Sequence, residues 1–249
     1  MKINKNDIFI LITVRTGSSR LPSKCLKLIN KKRVIEIIIK RAKKIGYPII
    51  LVTTKNKSDD ILCKLANRNK VMHYRGSSKN VLKRWNDCLN KFKVDIAIMV
   101  DADDLLFDYD TYKRALKKII NSKFDYIKAN TNSITGLFTY IFRAKVIKNV
   151  YEKNKFKSVE IIGPYLDKKY KSYSIRLRRN KKIRFTLDYK EDFILFKKIF
   201  STFSFTVKTN RVIAYLEKYK NLTKINSFRQ NDYLTNQRKK YEKLQRLEV

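Results

Sequence analysis

The sequence predicts an α/β fold in which a mainly parallel sheet is covered by helices on both faces. Short apolar runs rich in β-branched residues alternate along the chain with segments whose apolar residues recur at helical spacing. Hydrophobic residues make up 43% of the 249 residues, which is enough for a sizeable core. This content excludes a disordered, charge-rich chain, and the length suits a single domain.

The alternation is clearest in the first part of the chain. Residues 8–14 form a short apolar run rich in β-branched side chains, which is typical of a strand buried on both faces. Gly46 and Pro48 end the first predicted helix, and Ser58 is placed to cap the second. The predicted elements are, in order, a strand at 8–14, a helix at 32–45, a strand at 49–53, a helix at 58–67, a strand at 71–74, a helix at 79–92 and a strand at 94–100.

The second part of the chain is less regular. The pattern predicts a helix at 111–121, a strand at 124–129, an irregular stretch at 137–142, strands at 173–177 and 183–187, and a helix at 191–200. The last forty residues are helical in pattern but very polar. Because no linker or repeat interrupts the chain, we expect a main domain at 1–207 and a C-terminal helical extension of that domain at 208–249.

The charge is strongly positive, with 59 Lys and Arg against 22 Asp and Glu, a formal net charge of +37. Such a charge attracts polyanions, so a basic polyanion-binding protein is one functional alternative. The basic residues are spread along the whole chain, however, and Lys, Asn and Ile are abundant together. This distribution indicates a general compositional bias more than a surface for specific nucleic acids.

Cysteine and histidine content excludes several kinds of site. The three cysteines are odd in number and widely spaced, which argues against a disulfide framework or a zinc finger and favours the cytoplasm. The single histidine, His73, excludes chemistry that needs two. Residues 8–14 are far shorter than the ~20 residues of a membrane span, so we expect neither a span nor a cleavable signal.

The segment directly after the first strand carries the clearest chemical signal. Arg15, Arg20 and Lys24 place three cations within ten residues, around Gly17 and Ser18. In an open parallel sheet, ligands bind at the carboxyl ends of the strands, where a loop can direct backbone N–H groups at phosphate. The sequence therefore predicts a triphosphate-binding loop, although the Walker pattern is absent. A basic surface loop is the alternative.

The sequence of this loop, RTGSSRLPSKCL at residues 15–26, closely resembles the RxGSSRLPxKxL signature of a cytidylyltransferase family. That family contains the spore-coat polysaccharide biosynthesis protein SpsF and the CMP-Kdo synthetases. The resemblance covers roughly residues 8–200. It continues at residues 52–54 with Asp59 and Asp60, at 74–77 with Val81, Leu82 and Arg84, at Asp103 with Leu106 and Asp108, at Glu160 with 163–165, and at 184–188 with Glu191 and Asp192.

The resemblance implies a three-layer α/β/α fold, that of the GT-A-like nucleotide-diphospho-sugar transferases, with a mainly parallel mixed sheet. It implies transfer of CMP from CTP to an acceptor, an acidic or modified sugar for surface polysaccharide or glycan synthesis, with release of pyrophosphate. Arg15, Lys24 and Asp103 are the implied catalytic residues. The implied nucleotide-binding residues are Arg15, Thr16, Gly17, Ser18, Arg20, Lys24, Thr53, Arg75, Gly76, Ser77 and Asp101.

Asp103 and Asp188 are the implied ligands of Mg²⁺, the expected cofactor. Mg²⁺ is usually held by one or two carboxylates together with phosphate oxygens and water, so two distant aspartates suffice. Turn formation is the alternative role for Asp103, and capping of the following helix is the alternative for Asp188. Arg75 could equally form an ion pair at a strand end.

Asp101 and Asp103 also form a DxD element, the usual metal site of nucleotide-sugar glycosyltransferases on a related fold. Residues i and i+2 of an extended segment point the same way, so both carboxylates can face one ion. A GT-A-type glycosyltransferase is therefore the enzymatic alternative. The three cations of the loop favour a triphosphate, and hence CTP with a small-molecule acceptor as partners. A homodimer is compatible with the C-terminal helices.

Overall fold

The computed structural model describes residues 5–154, 162–166 and 170–246, so Glu160 lies outside the described residues. The first strands and helices are β1 Ile8–Thr13, β2 Leu28–Ile29, β3 Lys32–Arg33, α1 Val34–Ala42, β4 Ile49–Thr54, α2 Asp60–Arg68, β5 Met72–Gly76, α3 Val81–Lys91 and β6 Ile96–Asp101. The chain continues with α4 Tyr109–Ile120, β7 Tyr126–Ala129, β8 Tyr140–Arg143, α5 Ala144–Asn154, β9 Ser172–Ile175, α6 Lys190–Thr202, α7 Thr209–Lys218, α8 Lys220–Thr223 and α9 Arg229–Arg246.

The main sheet of the described residues has seven strands in the order β5-β4-β1-β6-β8-β7-β9. Strands β5, β4, β1 and β6 are parallel, whereas β8 runs antiparallel to both of its neighbours, β6 and β7. The carboxyl ends of β1, β4 and β6 therefore meet at one edge. The loops that follow these strands are brought together there.

Side chains alternate across β1 and divide the core into two layers. Ile10 and Ile12 face the cluster that contains the apolar sides of α1, α2, α4, α6 and α7. Leu11 faces the other cluster, which contains those of α3 and α5. This alternation follows from the two-residue period of a strand. The three-layer α/β/α architecture with a mainly parallel mixed sheet is confirmed.

Two regions differ from the sequence-based expectation. Residues 183–187 are not a strand, since they make only isolated bridges, Thr186 with Asp104 and Arg184 with Thr135. Their apolar residues are nevertheless buried. The sequence pattern therefore predicted the burial of these side chains correctly, but not the backbone hydrogen bonding of the segment. The stretch at 137–142, expected to be irregular, contains most of β8, and α5 follows it directly.

The start of α2 also differs. Ser58 lies inside a short 3₁₀ helix, Lys57–Asp59, and Asp59 takes the N-cap position that Ser58 was expected to fill. The Asp59 carboxylate does not cap the helix, because it accepts hydrogen bonds from Thr16, Thr53 and Thr54. A long-range anchor has replaced the local cap.

The residues after 202 return to the main body of the fold. Arg41 of α1 is buried, and its two Nη groups donate to the carbonyl oxygens of Phe205, Val207 and Phe107 and to Thr209 Oγ1, at 2.8–3.0 Å. The end of the chain is helical, as its pattern predicts. Across the described residues, none of the helices has both the length and the apolar character to span a membrane.

Candidate active site

A cleft of about 910 Å³ opens at the carboxyl edge of the sheet. The wall next to β1, here called the loop wall, is formed by Arg15, Gly17, Ser18, Arg20, Lys24, Arg84 and Trp85. The far wall includes Lys128, Ser133, Thr135, Thr139, Tyr140, Gly163, Tyr233, Gln237 and Tyr241. Because β6 lies between β1 and β8 in the sheet, the aspartates that follow β6 lie between the two walls.

Lys24 joins two carboxylates that are far apart in sequence. Its Nζ donates to Asp103 Oδ2 at 2.5 Å and to Asp188 Oδ1 at 3.0 Å. Arg20 Nη2 donates to the same Asp188 oxygen at 2.7 Å. Burial alone would lower the pKa of Lys24, but the two aspartates together raise it above its usual value. The loop and both aspartates thus meet at one point.

The opposite shift occurs at Asp188. Burial of this carboxyl would raise its pKa, but Lys24 and Arg20 hold it below the usual value. Asp188 therefore remains a carboxylate, the form that can bind a cation. It does not act as a helix cap, since Tyr189 occupies the N-cap position of α6.

Asp101 and Asp104 stand in a different electrostatic environment. Burial, followed by the charge of Asp103, raises the pKa of Asp101 to about 7. The same two causes raise the pKa of Asp104 well above its usual value. Asp101 Oδ2 accepts a hydrogen bond from Thr139 Oγ1 at 3.4 Å. Neighbouring aspartates thus oppose ionisation of both carboxyls, and neither forms an ion pair with a described residue.

The donor set at this point fits a hard divalent cation. One oxygen from each of Asp101, Asp103 and Asp104 lies within 4.8 Å of the others, and Lys24 brings Asp188 alongside Asp103. Carboxylate oxygens are the ligands that Mg²⁺ prefers. The residues present therefore fit Mg²⁺, with Asp103 and Asp188 as the two carboxylates that Lys24 bridges.

A buried network behind Asp188 fixes its position, and sequence reasoning did not assign it a role. Asp192 Oδ2 accepts from the backbone N–H groups of Asp188 and Tyr189, at 2.9 Å each. Asp192 Oδ1 is in turn held by Arg184 Nε at 2.9 Å and by Asn226 Nδ2 at 2.8 Å. The signal that could have found Asp192 is the carboxylate at the third position of a helix, whose usual partner is the backbone N–H before that helix.

Two predicted nucleotide-binding residues instead support the loop from behind. Thr16 donates to Asp59 Oδ1 through its backbone N–H at 2.8 Å and its hydroxyl at 2.7 Å. Thr53 Oγ1 donates to Asp59 Oδ2 at 2.9 Å, and Thr54 Oγ1 does so at 2.5 Å. Burial of Asp59 opposes ionisation, but these hydrogen bonds lower its pKa. Neither Thr16 nor Thr53 is among the cleft-lining residues of the described chain.

The segment Arg75, Gly76 and Ser77 also lies outside the described lining of the cleft. Arg75 donates to the carbonyl oxygens of Thr54 and Asn56, and its Nη1 pairs with Asp60 Oδ1 at 2.7 Å. Its geometry is that of an ion pair at a strand end. Of the other predicted nucleotide-binding residues, those of the loop and Asp101 do line the cleft.

The far wall contains residues that sequence reasoning did not select. Tyr233, Gln237 and Tyr241 follow one another at intervals of four in α9, so they share one face of that helix. Burial raises the pKa of Tyr233, whose neighbours include the charged groups of the aspartate cluster. The four-residue spacing in the sequence predicts that the three residues share a helix face, but it does not predict that this face lines the cleft.

The sequence model of the family described as cytidylyltransferase matches residues 9–244. The chain belongs to this family. The match extends beyond the residues on which the resemblance rested and includes most of α9. The identification of a cytidylyltransferase related to SpsF and the CMP-Kdo synthetases is therefore confirmed.

One curated relative of this cytidylyltransferase is the spore coat polysaccharide biosynthesis protein SpsF of Bacillus subtilis. It is 28% identical over 109 residues, which are 41% of this chain and 45% of SpsF. The match thus concerns less than half of either protein.

Two solved structures show the same fold as this cytidylyltransferase. A cytidylyltransferase from Leptospira borgpetersenii superposes with a TM-score of 0.80 at 21% identity, covering 87% of this chain and 96% of that one. A CMP:2-keto-3-deoxy-manno-octonic acid synthetase complexed with CTP superposes with a TM-score of 0.59 at 14% identity, covering 78% and 98%.

Proposed function

We propose that this cytidylyltransferase transfers CMP from CTP to an oxygen of an acidic or modified sugar and releases pyrophosphate. The observation that carries the proposal is the meeting of Lys24, Asp103 and Asp188, which joins a cationic loop to two aspartate side chains. A triphosphate and a divalent cation together match this pairing of charges. Family membership and the fold shared with a synthetase complexed with CTP support CTP as the donor.

In this proposal the loop wall binds the nucleotide. Arg15, Gly17, Ser18, Arg20 and Lys24 hold the phosphates, and Asp101 lies beside the nucleotide. The acceptor oxygen attacks the α-phosphorus, and the bond from that phosphorus to the pyrophosphate oxygen breaks. Arg15 and Lys24 stabilise the negative charge that develops on the departing pyrophosphate. Catalysis of such a transfer depends mainly on positioning and electrostatic stabilisation.

Asp103 and Asp188 would hold Mg²⁺ in the active complex. When bound there, the ion would neutralise charge on the phosphate oxygens of the substrate. The roles of this chain's own residues follow from their contacts. Asp192, Arg184 and Asn226 keep Asp188 in place, and Arg20 and Lys24 keep it ionised.

The acceptor occupies the far wall in this proposal. Ser133, Thr135 and Thr139 offer hydroxyl groups, Gln237 offers an amide, and Lys128 brings a cation to this side of the cleft. Hydroxyl and amide groups suit a sugar, and a cation suits an acidic one. SpsF is named for spore coat polysaccharide synthesis, which supports a role in surface polysaccharide or glycan synthesis. The three free cysteines support a reducing compartment, the cytoplasm.

The test is pyrophosphate release from CTP and Mg²⁺ with a panel of sugar acids and modified sugars. Asp103→Asn should reduce kcat by about 100- to 1000-fold, since it removes a charge that positions the reacting phosphates. The matched control is Asp110→Asn, a half-buried aspartate in the first turn of α4 that does not line the described part of the cleft. Full turnover in Asp103→Asn would contradict the proposal.

Thermal stabilisation separates the proposed donor from that of a glycosyltransferase. In the presence of Mg²⁺, CTP should raise the melting temperature, because a ligand that binds only the folded state stabilises it. UDP- and GDP-sugars should leave it unchanged. Stabilisation by those sugars and not by CTP would favour the glycosyltransferase.

A further inference from the structure

Arg84 lies in the first turn of α3 and is 1% exposed. Among the described residues, its side chain makes one hydrogen bond, from Nη1 to the carbonyl oxygen of Ser77 at 2.6 Å. Its Nε is buried and has no partner, and no described carboxylate pairs with it. Burying a charged group without a partner costs free energy, so this arrangement needs an explanation.

Two other arginines of the described residues are equally buried, and each makes more hydrogen bonds than Arg84. Arg184 pairs with Asp192 at 2.9 Å. Arg41 also has an unpartnered Nε, but its Nη groups make four hydrogen bonds and its guanidinium lies over the rings of Phe107 and Tyr109. Unlike Arg84, neither lines the cleft as far as the structure describes it. Among the described residues, Arg84 is the fully buried arginine that lines the cleft.

A second cation lines the same wall of the cleft as Arg84. Arg15 lines the same wall, and no described side chain pairs with it. Burial first, and then the charge of Arg15, lower the pKa of Arg84. The charge of Asp59 opposes both effects, but neither Arg84 nor Arg15 forms an ion pair with a described carboxylate. Two such cations on one wall of the cleft suit an anion.

The predicted motif of Arg75, Gly76 and Ser77 supplies the seat for this side chain. A Cβ atom at Gly76 would lie 2.8 Å from Arg84 Cγ and 2.8 Å from Tyr74 Cε1, so a larger residue would press on both side chains. Ser77 contributes the carbonyl oxygen that holds Nη1. Gly76 and Ser77 thus act on the cleft through Arg84, although neither lines it.

We propose that Arg84 binds phosphate oxygens of the nucleotide triphosphate together with Arg15, and that Gly76 and Ser77 position it for this contact. The inference rests on the proposed function for the identity of the nucleotide. A guanidinium presents N–H groups in a planar fork that matches two phosphate oxygens. Binding would supply the buried charge with its missing counter-ion.

The experiment measures binding of CTP, inorganic tripolyphosphate and cytidine by isothermal titration calorimetry, with Mg²⁺ present. Arg84→Met should weaken CTP and tripolyphosphate at least about tenfold, the loss expected for hydrogen bonds to a charged group, and leave cytidine unchanged. Arg84→Lys should fall between the two, because it keeps the charge and loses the fork. Lys83→Met is the matched control, since it removes an equal charge from the neighbouring, more exposed position.

The outcomes separate this inference from the proposed function. If the wild type binds CTP and Arg84→Met binds it equally well, the inference is wrong and the proposed function stands. Loss of CTP binding with full tripolyphosphate binding would place Arg84 on the nucleoside and also overturn it. If the wild type fails to bind CTP, the proposed function is wrong, and the effect of Arg84→Met on tripolyphosphate binding alone tests the inference. If the wild type binds neither CTP nor tripolyphosphate, the inference and the proposed function are both wrong. Should Arg84→Met not fold, Arg84→Lys and Gly76→Ala, which displaces the side chain, give the answer.

Discussion

The two walls of the cleft are built in different ways. The loop wall comes mostly from one continuous segment, residues 15–24, with Arg84 and Trp85 added from α3. The far wall is assembled from segments near residues 128, 133–140, 163 and 233–241, which are distant from one another in the chain. The position of the loop-wall groups is therefore set mostly within one short segment. The position of the far-wall groups depends on how four separate segments are placed relative to one another.

The walls also differ in charge. The loop wall carries Arg15, Arg20, Lys24 and Arg84, whereas hydroxyl, amide and aromatic groups dominate the far wall around Lys128. On the loop wall, Arg20 and Lys24 pair with the carboxylates of Asp103 and Asp188. This contrast suits one polyanionic ligand beside one polar, hydroxyl-rich ligand, and each of the following changes tests one wall against the other.

The largest effect is expected from Asp59→Asn, which breaks the anchor behind the loop wall. The Asp59 oxygens accept from Thr16, Thr53 and Thr54, so an amide NH₂ would meet groups that are themselves donors. We expect the free energy of unfolding at neutral pH to fall by about 2–3 kcal/mol, measured by urea denaturation. The control is Asp60→Asn, where an exposed ion pair with Arg75 contributes less than about 1 kcal/mol.

The same substitution has a pH signature. Because the pKa of Asp59 is lowered in the folded state, its contribution to stability is complete above the unfolded pKa of about 4. That contribution disappears as the pH falls through the folded pKa. The difference between wild type and Asp59→Asn should therefore be constant from about pH 5 to 8 and shrink below about pH 4. A difference that grows in acid would contradict the assignment.

An intermediate effect is expected from Gln237→Ala, which alters the far wall alone. Loss of one neutral hydrogen bond to the acceptor should raise the acceptor KM about tenfold, with the KM for CTP unchanged within about twofold. Steady-state pyrophosphate release measures both constants. Arg238→Ala, at the exposed next position, should change neither. An equal rise in both KM values would mean that α9 serves the whole cleft.

The smallest effect is expected from Gly163→Ala. A Cβ atom there would lie 2.4 Å from Tyr241 Oη, so the ring must move away. Because the contact is with the far end of a side chain, we expect a two- to threefold rise in acceptor KM and a loss of stability of at most about 1 kcal/mol. Tyr241→Phe in the same chain removes the clash and should restore both values. No rescue would show that the backbone at Gly163 is responsible.

Particular residues show how far sequence reasoning reached. Lys24 and Asp103 could be expected near each other, because a short motif and an aspartate just after a strand lie at one edge of a parallel sheet, and they do meet there. Thr16 and Thr53 were expected to bind nucleotide, yet their hydroxyl groups are committed to Asp59. Position in a motif gives proximity to a site, but the direction of a short polar side chain is decided by its nearest strong acceptor.

The two segments whose predicted structure was wrong, residues 183–187 and strand β8, differ from the prediction for related reasons. The apolar residues of 183–187 are buried, but the hydrogen-bond partners that would make them a strand are lacking there, apart from isolated bridges. Burial leaves a trace in the sequence, whereas pairing depends on which backbone lies alongside. Strand β8 was missed because an antiparallel strand in the middle of the sheet is specified by its neighbours, β6 and β7.

The sequence by itself determined the α/β class, the cationic loop after β1 and the family, because periodicity and short motifs are local properties of a chain. Only the tertiary structure decided that α9 closes the far wall and that Asp192, Arg184 and Asn226 support Asp188. It also decided that Arg84 is buried on the wall that carries Arg15 and forms no ion pair with a described carboxylate. These facts depend on contacts between residues far apart in the chain, and such contacts are fixed by the packing of the whole domain.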